Sequence, residues 1–271
     1  MKKESKIKEG GVGEGWIEES RIGELRIFFT VVMFLTRLPV PRTTDHSPEY
    51  LRQAPRYFPA VGWIVGGLCS LAFWLFGRFV SVDVGILASM ITGLLVTGCF
   101  HEDGFADVCD GMGGGWTKEK ILQIMKDSRI GAYGAIGLIA ILATKFLLLK
   151  ELPVFIPTVV AAHSVSRLMP VLVMKTGVYA ADPDQSKARP LAGPSVSGAA
   201  LVVATILALI PFVLLPWFFL CVLIPALVVT YGMYRWFFKW IGGYTGDCLG
   251  AIQQVTEVTV YLGCILLWRY L

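Results

Sequence analysis

Apolar stretches of near-bilayer length, separated by Gly, Pro and short charged loops, run through most of this chain and leave few folds open to it. A helix that crosses a bilayer needs about 20 mostly apolar residues, because each residue advances 1.5 Å through a hydrocarbon core of roughly 30 Å. Such stretches occur at about 60–77, 84–100, 133–149, 153–174, 196–217, 219–234 and 248–268. In lipid each backbone N–H and C=O has to be satisfied within its own segment, which selects helices. The expected fold is therefore all-α, a polytopic integral membrane helix bundle of about seven spanning helices. Pro211, Pro216 and Pro225 make the partition softest in the two stretches flanking Pro216. Leu25 to Leu38 is too short to cross and is ended by Pro39 and Pro41, so it reads as a short N-terminal re-entrant or interfacial helix. The composition agrees, with 55% hydrophobic and 16% charged residues, where charged residues make up about a quarter of a soluble domain.

Residues 1–23 mix Lys, Glu and Gly without an apolar core and read as a disordered extension, leaving 24–271 as a single membrane domain. The run Ile27 to Leu35 lacks a small-residue cleavage site, so no cleaved signal is expected. The six cysteines are far apart with no C-x-x-C pair, so neither a disulfide framework nor a zinc site follows. The net charge of +4 is small and dispersed, which argues against nucleic acid as a partner and for lipid headgroups or phosphorylated ligands. Basic residues are lopsided. Alternate loops collect Arg37, Arg42, Arg52 and Arg56, then Lys118, Lys120, Lys126 and Arg129, then Lys175, Lys187 and Arg189, then Arg235 and Lys239; the opposite side keeps Arg78, Lys150 and Arg269. By the positive-inside rule the loops 101–132 and 175–195 face the cytoplasm, as in a multi-pass protein of the inner (cytoplasmic) membrane. The sequence does not set the oligomeric state.

The polar motifs then share one membrane face. His101 to Gly111 follows an apolar stretch and holds three acids, Asp103, Asp107 and Asp110, at i, i+4 and i+7, one face if the helix continues. Like charges at that spacing repel, and a hard cation such as Mg2+, bridging carboxylates to substrate phosphates, would offset the cost. Glu102 points elsewhere and reads as solvated. His101 is either a general base or a bystander at the interface. Gly113 to Gly115 gives a backbone able to approach a phosphate. Thr117 caps a short amphipathic helix with Ile121, Leu122, Ile124 and Met125 on its apolar side. Lys126 and Arg129, three apart, are neighbours if helical, suited to gripping a diphosphate or to marking the membrane boundary. His163 and Arg167 share a helix face inside a span, where a charge is costly; Arg167 either meets a substrate phosphate or pairs with an aspartate. Asp247, after Gly242 to Gly246, either caps the last helix or adds an acid to the same face. Gln253, Gln254 and Glu257 suggest a polar interior. Gly62, Gly66 and Gly67 have the spacing of close helix packing in lipid.

In order along the chain, Arg37 to Pro41, Tyr57 to Gly62, His101 to Gly111, Lys126 to Gly131, His163 to Arg167 and Gly243 to Asp247 resemble the cobalamin synthase family, the adenosylcobinamide-GDP ribazoletransferases. The likeness covers nearly the whole chain except the first 23 residues. It implies a magnesium-dependent membrane transferase of cobalamin (vitamin B12) biosynthesis. Adenosylcobinamide-GDP and alpha-ribazole, or alpha-ribazole 5'-phosphate, would give adenosylcobalamin, or its 5'-phosphate, with release of GMP. Carried over residue by residue, Asp103, Asp107 and Asp110 would hold the metal. Lys126, Arg129 and Arg167 would neutralise the diphosphate, and Asp247 would complete the acidic site. A metal-free carboxylate or His101 would take the proton from the attacking hydroxyl.

The alternative is a CDP-alcohol phosphotransferase-like membrane enzyme, whose signature also begins with an Asp-Gly pair. Here Asp107 stands where that signature has Arg, and its later glycine and paired aspartates do not recur at the expected spacing. A cation transporter would place its acids near the bilayer midplane and often carries repeats, and neither feature is visible.

Overall fold

A computed structural model describes residues 12–42, 44, 48–180 and 196–271, with backbone alone over 12–22 and at 48. The described helices are α1 (Val12–Leu35), α2 (Pro48–Gln53), α3 (Phe58–Phe79), α4 (Val82–Thr97), α5 (Phe100–Gly114), α6 (Lys118–Met125), α7 (Ala132–Glu151), α8 (Phe155–Thr176), α9 (Gly198–Leu209), α10 (Leu223–Ile241) and α11 (Gly246–Tyr270). Among the described residues the one β-type pairing is an isolated parallel bridge between Tyr179 and Tyr244. The chain is an all-α membrane bundle.

Five helical segments are long and apolar enough to cross a membrane: Glu49–Phe79, Ala132–Glu151, Phe155–Thr176, Trp217–Ile241 and Gly246–Tyr270. A sixth follows if α4 and α5 count as one broken span. The sequence suggests seven. The difference lies in Gly198–Leu214, which is apolar but shorter, and in the 84–100 stretch, which does not run straight on into the acidic motif. At the N-terminus the backbone is helical from Val12, well before Leu25. Residues 1–11, and the loop residues Lys187 and Arg189, lie outside the described residues.

α4 and α5 meet at 87°. Gly98 (φ 63°) and Cys99 (φ 57°) both adopt left-handed backbone, a conformation glycine takes freely and cysteine at a cost. At Gly98 a side chain is excluded twice over, because a Cβ there would run into the Arg37 guanidinium. The Arg37 amide donates to the Val96 carbonyl at 2.7 Å, so the Arg37 to Pro41 motif braces this bend.

α8 sits at the centre, buried along most of its length from Thr158 to Met174. α3 lies against it through glycines: a Cβ on Gly66 would stand 2.8 Å from Val160 Cα, and one on Gly62 would strike the His163 carbonyl. Gly67 faces open space and takes no part in this contact. Ser164 ties the same surface, donating to the Pro59 carbonyl at 3.2 Å and accepting from Trp63 Nε1 at 3.0 Å. Outward faces of α3, α4, α7 and α10 expose Trp74, Leu95, Ile139 and Ile224, as lipid contact requires.

Candidate active site

α5 does continue as a helix through Asp103, Asp107 and Asp110, and the three acids divide their work. Asp110 is buried and binds the start of α7, accepting from the Gly131 amide at 2.7 Å and the Gly134 amide at 2.8 Å. It satisfies two of the orphan N–H groups of that helix end. Asp103 is exposed and Asp107 half-buried. Asp247 joins them from α11, because Gly104 lets the two helices touch: a Cβ at 104 would stand 2.9 Å from Asp247 Cα. Asp103, Asp110 and Asp247 are the like charges that bear on Asp107. Thr245, not Asp247, caps α11, its hydroxyl accepting from the Cys248 amide at 3.3 Å. Asp247 thus belongs to the acidic face.

Among the described residues no three His, Cys, Asp or Glu side chains are placed to hold a metal ion by themselves. A cation held at these acids would need ligands beyond the side chains. Mg2+ takes one or two carboxylates and draws its remaining ligands from water and substrate phosphates.

Thr117 caps α6 as expected, accepting from the Lys120 amide at 3.3 Å. Ile121 and Met125 are buried beneath it, and Met125 packs over Gly111. The glycines at the end of α5 serve packing: a Cβ on Gly113 would meet the Tyr133 ring and one on Gly115 the Ile121 side chain. Lys126 and Arg129 are not helical neighbours, because α6 ends at Met125. Asp127 turns the chain by accepting from the Arg129 amide at 3.1 Å, the local bond with which aspartate competes against helix. The Arg129 guanidinium forks onto the same carboxylate, at 2.6 Å from NH2 and 3.0 Å from Nε. That pairing holds the Asp127 carboxyl down at about 2, so the pair stays ionised at any physiological pH.

Deeper in the bundle lies a buried polar network. Lys145 of α7 meets Glu257 at 3.1 Å and stands 4.0 Å from Glu102. Glu257 also accepts from Gln253 at 2.8 Å and Tyr261 at 3.1 Å, and Gln254 donates to Glu102 at 2.9 Å. Arg167 is 2% exposed and donates to the His163 carbonyl at 2.9 Å, with His163 Nδ1 3.1 Å away. No aspartate pairs with it among the described ion pairs; the charges it faces are Glu257 and Glu102. Two carboxylates thus oppose two cations. Glu102, expected to be solvated, is buried: it lies one residue, a quarter-turn, from Asp103, and the 87° bend turns that side inward.

His101 and Arg167 line two cavities at once. One holds the polar network. The other is mostly apolar, walled by Phe34, Phe58, Phe100, Tyr179, Tyr244 and Leu249. The Tyr179–Tyr244 bridge closes it, with the two rings edge to face at 5.4 Å. Burial pushes the Tyr244 phenol up to about 12, so it stays neutral.

Residues 27–265 match the family model of cobalamin-5-phosphate synthase. The chain belongs to the cobalamin-5-phosphate synthase family. Similar proteins include the adenosylcobinamide-GDP ribazoletransferase of Vibrio cholerae, 41% identical over 243 residues, 88% of this chain and 93% of that protein. Those of Shewanella pealeana (42% over 246 residues, 88% and 94%) and Leptothrix cholodnii (39% over 253, 89% and 96%) bear the same name. No solved structure matches the chain.

Within this synthase-family chain the structure brings Asp103, Asp107 and Asp247 to one face, anchors Asp110 at the start of α7, and sends His101 and Arg167 to the wall between the cavities. Lys145 went unnoticed in the sequence. Its signal was there, a lysine in the middle of the apolar stretch 133–149, where an ionisable residue is functional or paired by default.

Proposed function

We propose that this chain is a magnesium-dependent adenosylcobinamide-GDP ribazoletransferase of the inner membrane with its acidic face toward the cytoplasm. The observation that carries this reading is the meeting of Asp103 and Asp107 on α5 with Asp247 on α11, in a chain whose relatives bear that enzyme's name. Alpha-ribazole or its 5'-phosphate would attack the corrinoid-side phosphorus of the diphosphate, forming a new P–O bond while the bond to GMP breaks. The basic residues support the orientation, since Lys118, Lys126 and Arg129 lie at the end of the bundle that carries Asp110 and Asp247.

Bound magnesium would neutralise the diphosphate and its departing oxygen. Asp103 and Asp107, with Asp247 opposite, would hold it, and Asp110 locks α5 against α7. Lys126 and Arg129 would grip the diphosphate from the 126–131 loop, the Arg129 fork exchanging the Asp127 carboxylate for phosphate oxygens. An α5 carboxylate takes the hydroxyl proton, with His101 as the other acceptor in reach of the apolar cavity. Arg167 adds a buried positive charge behind the site.

Membranes carrying the protein, given adenosylcobinamide-GDP, alpha-ribazole and Mg2+, are expected to release GMP and form cobalamin, and to stop when the metal is chelated. GMP release no greater than that of control membranes would overturn the reading. Arg129→Lys keeps the charge and loses the planar fork. GMP release is expected to fall roughly thirty- to several-hundred-fold, unrescued by excess Mg2+, since one charge-assisted contact to a transition-state phosphate is worth about 2–4 kcal/mol. An unchanged rate would mean that Arg129 serves only its Asp127 turn.

A further inference from the structure

The apolar cavity is a built site with one polar end. Its walls are aromatic and aliphatic, with Phe34 and Phe100 edge to face at 5.4 Å on one side and the tyrosine pair on the other. The cavity is partly open to its surroundings. Arg167 lines it as well as the polar cavity, and Arg167 Nε, fully buried, has no hydrogen-bond partner. A buried N–H without an acceptor is rare and points to an absent one. Two of the pieces of chain that line the cavity, Phe100–His101 and Tyr244 with Gly246, run directly into the acids Asp103 and Asp247.

We propose that this cavity seats the flat apolar base of the attacking nucleoside, the ribazole, with a ring nitrogen accepting from Arg167 Nε and the ribose emerging at the acidic face. The inference rests on the transferase reading above. Ribazole carries a benzimidazole, a bicyclic aromatic whose one free ring nitrogen accepts a single hydrogen bond. That matches apolar walls with one orphan donor. Guanine presents several donors and acceptors that these walls would leave unpaired. A corrin ring is far too broad. An acyl chain would suit the walls and leave Arg167 Nε unsatisfied.

Equilibrium dialysis of the full-length protein in mild detergent, against alpha-ribazole and separately against adenosylcobinamide-GDP, tests the seat. Leu249→Trp fills the cavity and is expected to weaken ribazole binding at least about ten-fold, with adenosylcobinamide-GDP affinity held within about two-fold. Phe34→Ala removes one half-buried wall, keeps the test open if the larger side chain spoils folding, and should weaken ribazole about three- to ten-fold. Ribazole binding unchanged in both variants, or absent in the wild type, overturns the seat. Loss of co-purified lipid from Leu249→Trp with ribazole affinity intact gives the cavity to an acyl chain and overturns it too. Wild-type protein that binds ribazole, loses it in these variants and yet releases no GMP upholds the seat and overturns the transferase reading alone.

Discussion

Lys145→Met is expected to destabilise the bundle by about 3–5 kcal/mol, the cost of leaving a buried charge without its partner. The side chains of Lys145 and Glu257 are 7% and 3% exposed, so solvent does little to screen either. Without the ammonium, Glu257 keeps hydrogen bonds from Gln253 and Tyr261 but loses its 3.1 Å cation, and Glu102 loses the nearer of the two cations it faces. Heat- or SDS-induced unfolding in mild detergent reads the effect. The double variant Lys145→Met with Glu257→Gln restores neutrality and should recover much of the loss, because replacing a whole buried pair costs far less than breaking it. A single variant as stable as wild type would show that the network is not held by charge balance.

Asp107→Asn is expected to lower GMP release on the order of 10²–10³-fold while leaving the protein folded, the scale of losing one electrostatic contact at a transition state. Asp107 stands between Asp103, Asp110 and Asp247, so removing its charge relieves repulsion and should not destabilise the helix. Asp103→Asn should behave alike. Asp110→Asn differs: an amide can accept from one of the Gly131 and Gly134 amides but not from both with equal strength, so its signature is lost stability as well as lost rate. Near-normal turnover of Asp107→Asn at ordinary Mg2+ would remove that carboxylate from the metal site.

Much of this site is legible in the chain itself, for a physical reason in each case. An acid every turn of a helix can be read from spacing alone, because i, i+4 and i+7 share a face wherever the helix goes. Arg167 stands out because charge inside an apolar stretch is costly without a partner. Thr117 marks its own helix start, since capping is a bond between near neighbours. Where local rules mislead, a nearby side chain outvotes periodicity. Asp127 accepts the Arg129 amide and ends the helix that would have put Lys126 beside Arg129.

The sequence alone determined that this chain fills a membrane with helices, and it named most of the polar residues those helices would carry, since hydropathy and helical period are local properties. Only the tertiary structure decided how they combine. The 87° bend at Gly98 and Cys99 turned Glu102 inward, Gly104 let Asp247 reach the α5 acids, and the packing of α7 against α11 matched Lys145 to Glu257. Each depends on contacts between residues far apart in the chain. In lipid, a buried charge takes whichever partner packing brings within reach.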